Sequence, residues 1–192
     1  MHPLPPVLAL LALLLSAAPA RAVFHLWDIT EIYSNTDGSI QFVEFSTNAS
    51  FQGRLLNHEL VSVSFENRFT IPSSLPTNTA SRSFLVATPG FTVAAGIAPD
   101  YTLDGPLFFD PGGDSVRLVG ADGITFGPGE LPTDGTHSLN ETFGGGSRTT
   151  APNSPTNFAG QTGSIVPEPA SGLLLALGLL GLGWARTGRG RR

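Results

Sequence analysis

Two apolar runs, residues 7–15 and 170–185, lie near the two ends of this 192-residue sequence. They constrain the rest more than any other feature, because such runs suit a translocation machine or a bilayer better than a small soluble core. Between them lie roughly 140 residues, the length of one ordinary domain. After the first run, Ala20 and Ala22 take the −3 and −1 positions of a cleavage site, so residues 1–22 are expected to be a signal peptide that is removed. Its leading segment holds no Lys or Arg, which leaves the targeting to the apolar core. The second run follows Val166, Pro167, Glu168 and Pro169 and precedes Arg186, Arg189, Arg191 and Arg192. As a helix it would measure about 24 Å against a hydrocarbon core of about 30 Å, which predicts a slightly short single transmembrane helix. The four arginines would stop it on the cytoplasmic side and leave the domain outside. Pro167 and Pro169 keep the approach extended and open to a processing enzyme.

A domain so exported has to be held by its core alone, since the sequence contains no cysteine. Thiol catalysis and thiolate metal sites are excluded with it. Between residues 23 and 166, five arginines (Arg54, Arg68, Arg82, Arg117, Arg148) stand against fourteen carboxylates, a net charge of −9. That balance keeps the domain soluble and excludes nucleic acid as a partner.

The local pattern is that of strands. Residues 23–33 are aromatic and β-branched without a helical stripe, and 39–46 read as their hairpin partner across the turn signal Asp37, Gly38. Alternation there is imperfect, which points to burial on both faces. Val61, Val63 and Phe65 alternate with serines as a half-buried strand, and residues 69–71 extend the pairing. Residues 83–88 form a short apolar strand stopped by Pro89 and Gly90, while 91–98 fit either a helical turn or coil. Residues 107–109, 115–119 and 124–126, with turns between them, predict a three-strand meander in which Val116 and Leu118 face inward and Arg117 outward. The fold class expected is all-β, a small β-sandwich over residues 23–143. Residues 144–165, dominated by Gly, Pro, Ser, Thr and Asn, read as a flexible linker.

The order Val166, Pro167, Glu168, Pro169, apolar run, arginine cluster resembles the PEP-CTERM sorting signal of bacterial surface proteins. The resemblance covers residues 166–192. It implies export, transient holding in the inner membrane by the tail, and processing by an exosortase as partner at or near the Pro-Glu-Pro element. The destination it implies is the cell surface or extracellular matrix of a Gram-negative type envelope, with adhesion or exopolysaccharide association as the activity. A second likeness is carried by Ile29, Thr30, Glu31 and Ile32, by Gln41, Phe42, Val43, Glu44 and Phe45, and by residues 113–119 followed by Ala121, Asp122 and Gly123. These patches are similar to the lamin tail domain, which implies an immunoglobulin-like sandwich serving as an accessory or binding module.

Candidate chemistry is sparse. His25, His58 and His137 fall in no metal-binding spacing, and Ser138 beside His137 lacks the strained elbow of a nucleophile. Asp110, Asp114 and Asp122 lie in glycine-rich turns where oxygen ligands could hold Ca²⁺, yet aspartate is also a common turn former. Glu31 and Glu44 sit in otherwise apolar strands. A carboxylate pair on neighbouring strands is how a glycosidase is built, whereas solvent-facing alternation explains the same residues more simply. Trp27 is expected in the core. The reading that results is non-enzymatic and without cofactor; a glycan hydrolase and an unprocessed, membrane-tethered structural domain are the alternatives.

Overall fold

The structure is a computed structural model that describes residues 24–76 and 78–166. The expected signal peptide with Ala20 and Ala22, residues Pro167, Glu168 and Pro169, the apolar run, and Arg186, Arg189, Arg191 and Arg192 lie outside the described residues. Two sheets face each other. The first has six strands in the order β10, β9, β1, β2, β5, β6, with β1 Asp28–Ser34, β2 Gln41–Thr47, β5 Arg82–Ala87, β6 Tyr101–Thr102, β9 His137–Glu141 and β10 Arg148–Pro152. The second has four in the order β4, β3, β7, β8, with β3 Glu59–Ser62, β4 Arg68–Thr70, β7 Asp114–Leu118 and β8 Gly123–Phe126. Apart from the β5–β6 pair the ladders are antiparallel. The described residues therefore form the expected all-β sandwich.

The main core lies between the sheets. Ile29, Ile32, Val43, Phe45, Phe84 and Val86 of the larger sheet meet Leu60, Phe69, Val116, Leu118, Ile124 and Phe126 of the smaller. Phe84 is its pivot: Phe45 stacks on it at 4.6 Å between ring centroids, and Trp27 meets it edge-on at 4.7 Å. Trp27 is fully buried as expected, and its indole N–H donates to the Gln52 carbonyl at 2.8 Å, so its one polar atom costs nothing.

The broken alternation in the first strand has a definite cause. A bulge between Ile29 and Glu31 shifts the register of β1 on β2. It resets the two-residue period, so Ile29 and Ile32 both point into the main core while Glu31 and Tyr33 point to the opposite face. That outer face carries a second core of Tyr33, Phe42, Leu85 and Ala87, closed over by Phe91 and Ala95 of the single-turn helix α1 Phe91–Ala95 and by Ile165.

Three expectations are corrected. Residues 107–109 do not open a meander: Leu107 has φ 57° and the Gln41 side chain takes over the pairing, accepting from Phe108 and Phe109 amides at 2.6 and 3.2 Å and donating to the Phe109 carbonyl at 2.8 Å. Only the β7–β8 hairpin of that region forms, with Val116 and Leu118 buried and Arg117 exposed. The β3 strand ends at Ser62 rather than Phe65: the Val63 amide is shared between the Ser115 carbonyl and Asp114, and the Ser64 amide turns to Asp114 altogether. Residues 144–165 are not a linker. Arg148–Pro152 pairs with β9 along its whole length, and residues 153–165 form a strap across the outer face of the larger sheet.

Candidate functional site

The strap is where the sequence leads into Val166, and its attachment follows a two-residue period. The Ser154 amide donates to Glu31 Oε1 at 2.9 Å, the Thr156 amide to Glu44 Oε2 at 2.7 Å, and the Phe158 amide to Asp100 Oδ2 at 2.9 Å. The three acceptors lie along one register row. Glu31 is opposite Glu44, Glu44 is opposite Leu85, and Asp100 exchanges hydrogen bonds with the Leu85 backbone. An extended segment crossing the strands thus finds an acceptor at every second residue, much as an added strand would, but from side chains.

Glu31 and Glu44 are 3% and 7% exposed, against the expectation that they face solvent. Ser138 Oγ donates to Glu31 at 2.6 Å, and Thr30 and Ser46 hydroxyls lie within 3.3 and 3.4 Å of Glu44. Burial nevertheless dominates. It raises Glu44 to about 7 even though the Thr156 amide works the other way, with the nearby Glu31 adding to the rise. Burial also raises Glu31 against its bonds from Ser138 and Ser154, and raises Asp100 against those from Phe158 and Leu85.

Past Phe158 the strap folds back. Asn157 and Gln161 bond to each other, Thr156 bridges Thr162, and Gly163 passes so close to α1 that a Cβ there would lie 2.6 Å from the Ala95 carbonyl. Asn153 then fastens the end: its Oδ1 accepts from the Ile165 amide at 2.6 Å and its Nδ2 donates to the Ile165 carbonyl at 2.8 Å. Ile165 is buried and Val166 is 67% exposed.

Each of the calcium candidates accepts hydrogen bonds within the fold. Asp114, 4% exposed, accepts from Val63, Ser64 and Ser115 amides on one oxygen and from Ser62 Oγ and the Asp110 amide on the other. Burial opposes its charge, but these bonds outweigh burial and hold its carboxyl below the ordinary range. Asp110 closes its own turn on Gly112 at 2.8 Å. Asp122 lies at the other end of β7 and accepts from the Ile29 amide at 2.8 Å. Among the described residues no group of three or more His, Asp or Glu is placed to hold a metal ion. His137 pairs with Asp134 at 2.6 Å while Ser138 turns to Glu31, so adjacent residues serve opposite sides of β9. His25 bonds the Gly120 carbonyl at 2.7 Å, and His58 stacks on Phe24.

Asn153, Ser154 and Thr156 are the residues that sequence reasoning missed, and Asp100, which reads in the sequence as one more turn aspartate, has its place under the strap only in the structure. A signal did exist: two glutamates in strands too apolar to face water demand buried donors, and a segment rich in Ser, Thr and Asn can supply them. Against known proteins, neither the curated proteins nor the solved structures give a match to the chain. Residues 166–187 match the family model described as the PEP-CTERM protein-sorting motif. The strap therefore delivers the chain into a sorting signal, and what the motif marks is an exported, exosortase-processed surface protein of the Gram-negative type.

Proposed function

We propose that residues 24–166 form a non-catalytic module that acts at the cell surface or in the extracellular matrix by adhesion, with exopolysaccharide as its ligand class, after an exosortase has trimmed the tail. The apolar run at 170–185 holds the chain in the inner membrane until then. The observation that carries the non-catalytic reading is the use made of Glu31 and Glu44: the acid pair a hydrolase would need is buried beneath its own chain and hydrogen-bonded to it. An immunoglobulin-like ancestry shared with lamin tail domains belongs to this proposal. It is supported by the pairing of the strands holding Ile29–Ile32 and Gln41–Phe45, and by residues 114–118 as an inner-facing strand.

The rival is a glycan hydrolase. What favours it is the same pair, directly opposed in register, with Glu44 near neutrality where a general acid works best. Protein recovered from an exosortase-containing host separates the readings. The expected product has lost the residues beyond the Pro-Glu-Pro element by intact mass, co-sediments with isolated exopolysaccharide, and releases no reducing sugar. A mass that still includes Arg192 refutes trimming. Reducing ends that vanish in Glu44→Gln establish the hydrolase instead.

A further inference from the structure

We infer that the end of the sandwich from which Val166 emerges is a docking surface for the membrane-embedded processing enzyme, an inference that rests on the exosortase processing proposed above. The first ground is the shortness of the connection. The Asn153 clasp fixes both backbone polar groups of Ile165, and its side chain is buried in the outer core, so the fold is anchored up to that residue. The next residue, Val166, begins the sorting motif. From Val166 to Ala170, where the apolar run begins, there are four Cα steps, at most about 14 Å fully extended. An enzyme in the bilayer that grips Pro167, Glu168 and Pro169 has to come within that distance of the folded surface. The protein supplies no spacer to keep the two apart.

The second ground is the shape and chemistry of the surface at that point. Val166 lines a groove of about 760 Å³ whose walls include Ile40 and Asp37 from the β1–β2 turn, Val93 and Ala94 of α1, and Asp134. Val93 is 92% exposed, an apolar side chain held out to solvent at the lip. Asp37 and Asp134 place negative charge beside the apolar wall. An apolar centre with a charged edge is the anatomy of a protein–protein contact, and the complementary partner is an enzyme surface with apolar side chains bordered by basic ones.

The test follows trimming of the full chain over time in a host containing the exosortase, by loss of the C-terminal residues. Four forms are compared: the parent, Val93→Arg, Val93→Arg with six Gly/Ser residues inserted between Ile165 and Val166, and Glu168→Ala as the motif control. Val93→Arg is expected to slow trimming roughly tenfold, by placing a cation against a basic, apolar partner surface. The insert is expected to restore the rate, because a spaced motif reaches the enzyme without surface contact, and that rescue also shows that the variant folds. Trimming of Val93→Arg at the parental rate, with Glu168→Ala untrimmed, overturns the docking surface alone. A slow rate that the insert does not restore overturns it as well. If the parent keeps its tail, the processing reading falls and the docking surface falls with it.

Discussion

Asp114 ties three separate pieces of backbone to one carboxylate. Its five donors come from the β3 end, from the turn before β7, and from β7 itself. Replacing it with alanine leaves the Ser64, Asp110 and Ser115 amides without this acceptor in a largely buried place, while Val63 keeps the Ser115 carbonyl, and is expected to cost on the order of 3 kcal/mol. Equilibrium denaturation in urea measures this directly. Calcium is expected to leave the parent's melting temperature unchanged, since these oxygens are already occupied by amides and a hydroxyl. The folded carboxyl lies below its unfolded value, so the stabilisation is present above the ordinary aspartate range and is lost as pH falls through the folded value. Sequence reading found Asp114 and missed its role, because turn formation and ligand holding demand the same residue and only the location of the amides separates them.

The strap is the element in which charge and stability are linked. Glu31, Glu44 and Asp100 are all raised by burial; their hydrogen-bond partners are hydroxyls and amides, Glu44 also feels the Glu31 carboxylate, and the Arg82 guanidinium bonds the Phe158 carbonyl. Between the ordinary glutamate value of 4.5 and about 7, the folded protein holds a proton on Glu44 that the unfolded chain has released. Stability contributed in this way is complete below the unfolded value and disappears as pH rises through about 7. The loss for Glu44 is on the order of 3 kcal/mol. Melting temperatures at pH 5 and pH 8 are expected to fall in the parent and to fall distinctly less in Glu44→Gln. An equal fall in both would remove Glu44 from the account. The lowered aspartates titrate below this window and do not blur it. Strands proved legible wherever alternation or turn chemistry was strong, as in β2, β5 and the β7–β8 hairpin. The two glutamates signalled that buried donors were needed, but not which segment supplies them, because the strap holds by backbone amides reaching carboxylates far away in sequence, and every residue type but proline carries an amide. The helix α1 left only a weak trace for a different reason: a single turn is too short to show a period.

At the scale of the molecule, the two ends of the described chain depart from opposite ends of the sandwich. Phe24 lies with Gly120 and His58 near the start of β1, while Val166 shares its groove with Tyr33 and Asn35 near the end of β1. Any load between an anchored tail and a ligand bound at the far end would therefore run along the strands. Under such tension the strap is attached one bond at a time and yields first, whereas the β10 ladder, pulled along its own axis, loads all its rungs together. Stretching the chain between its ends in a single-molecule trap is expected to give an early extension on the order of 40 Å, the length of thirteen residues, ahead of the main unfolding event. Trimming at the Pro-Glu-Pro element would leave that reserve in the mature protein. Thirteen residues that looked like a tether would then act as a shock absorber, folded away at rest and paid out only under strain.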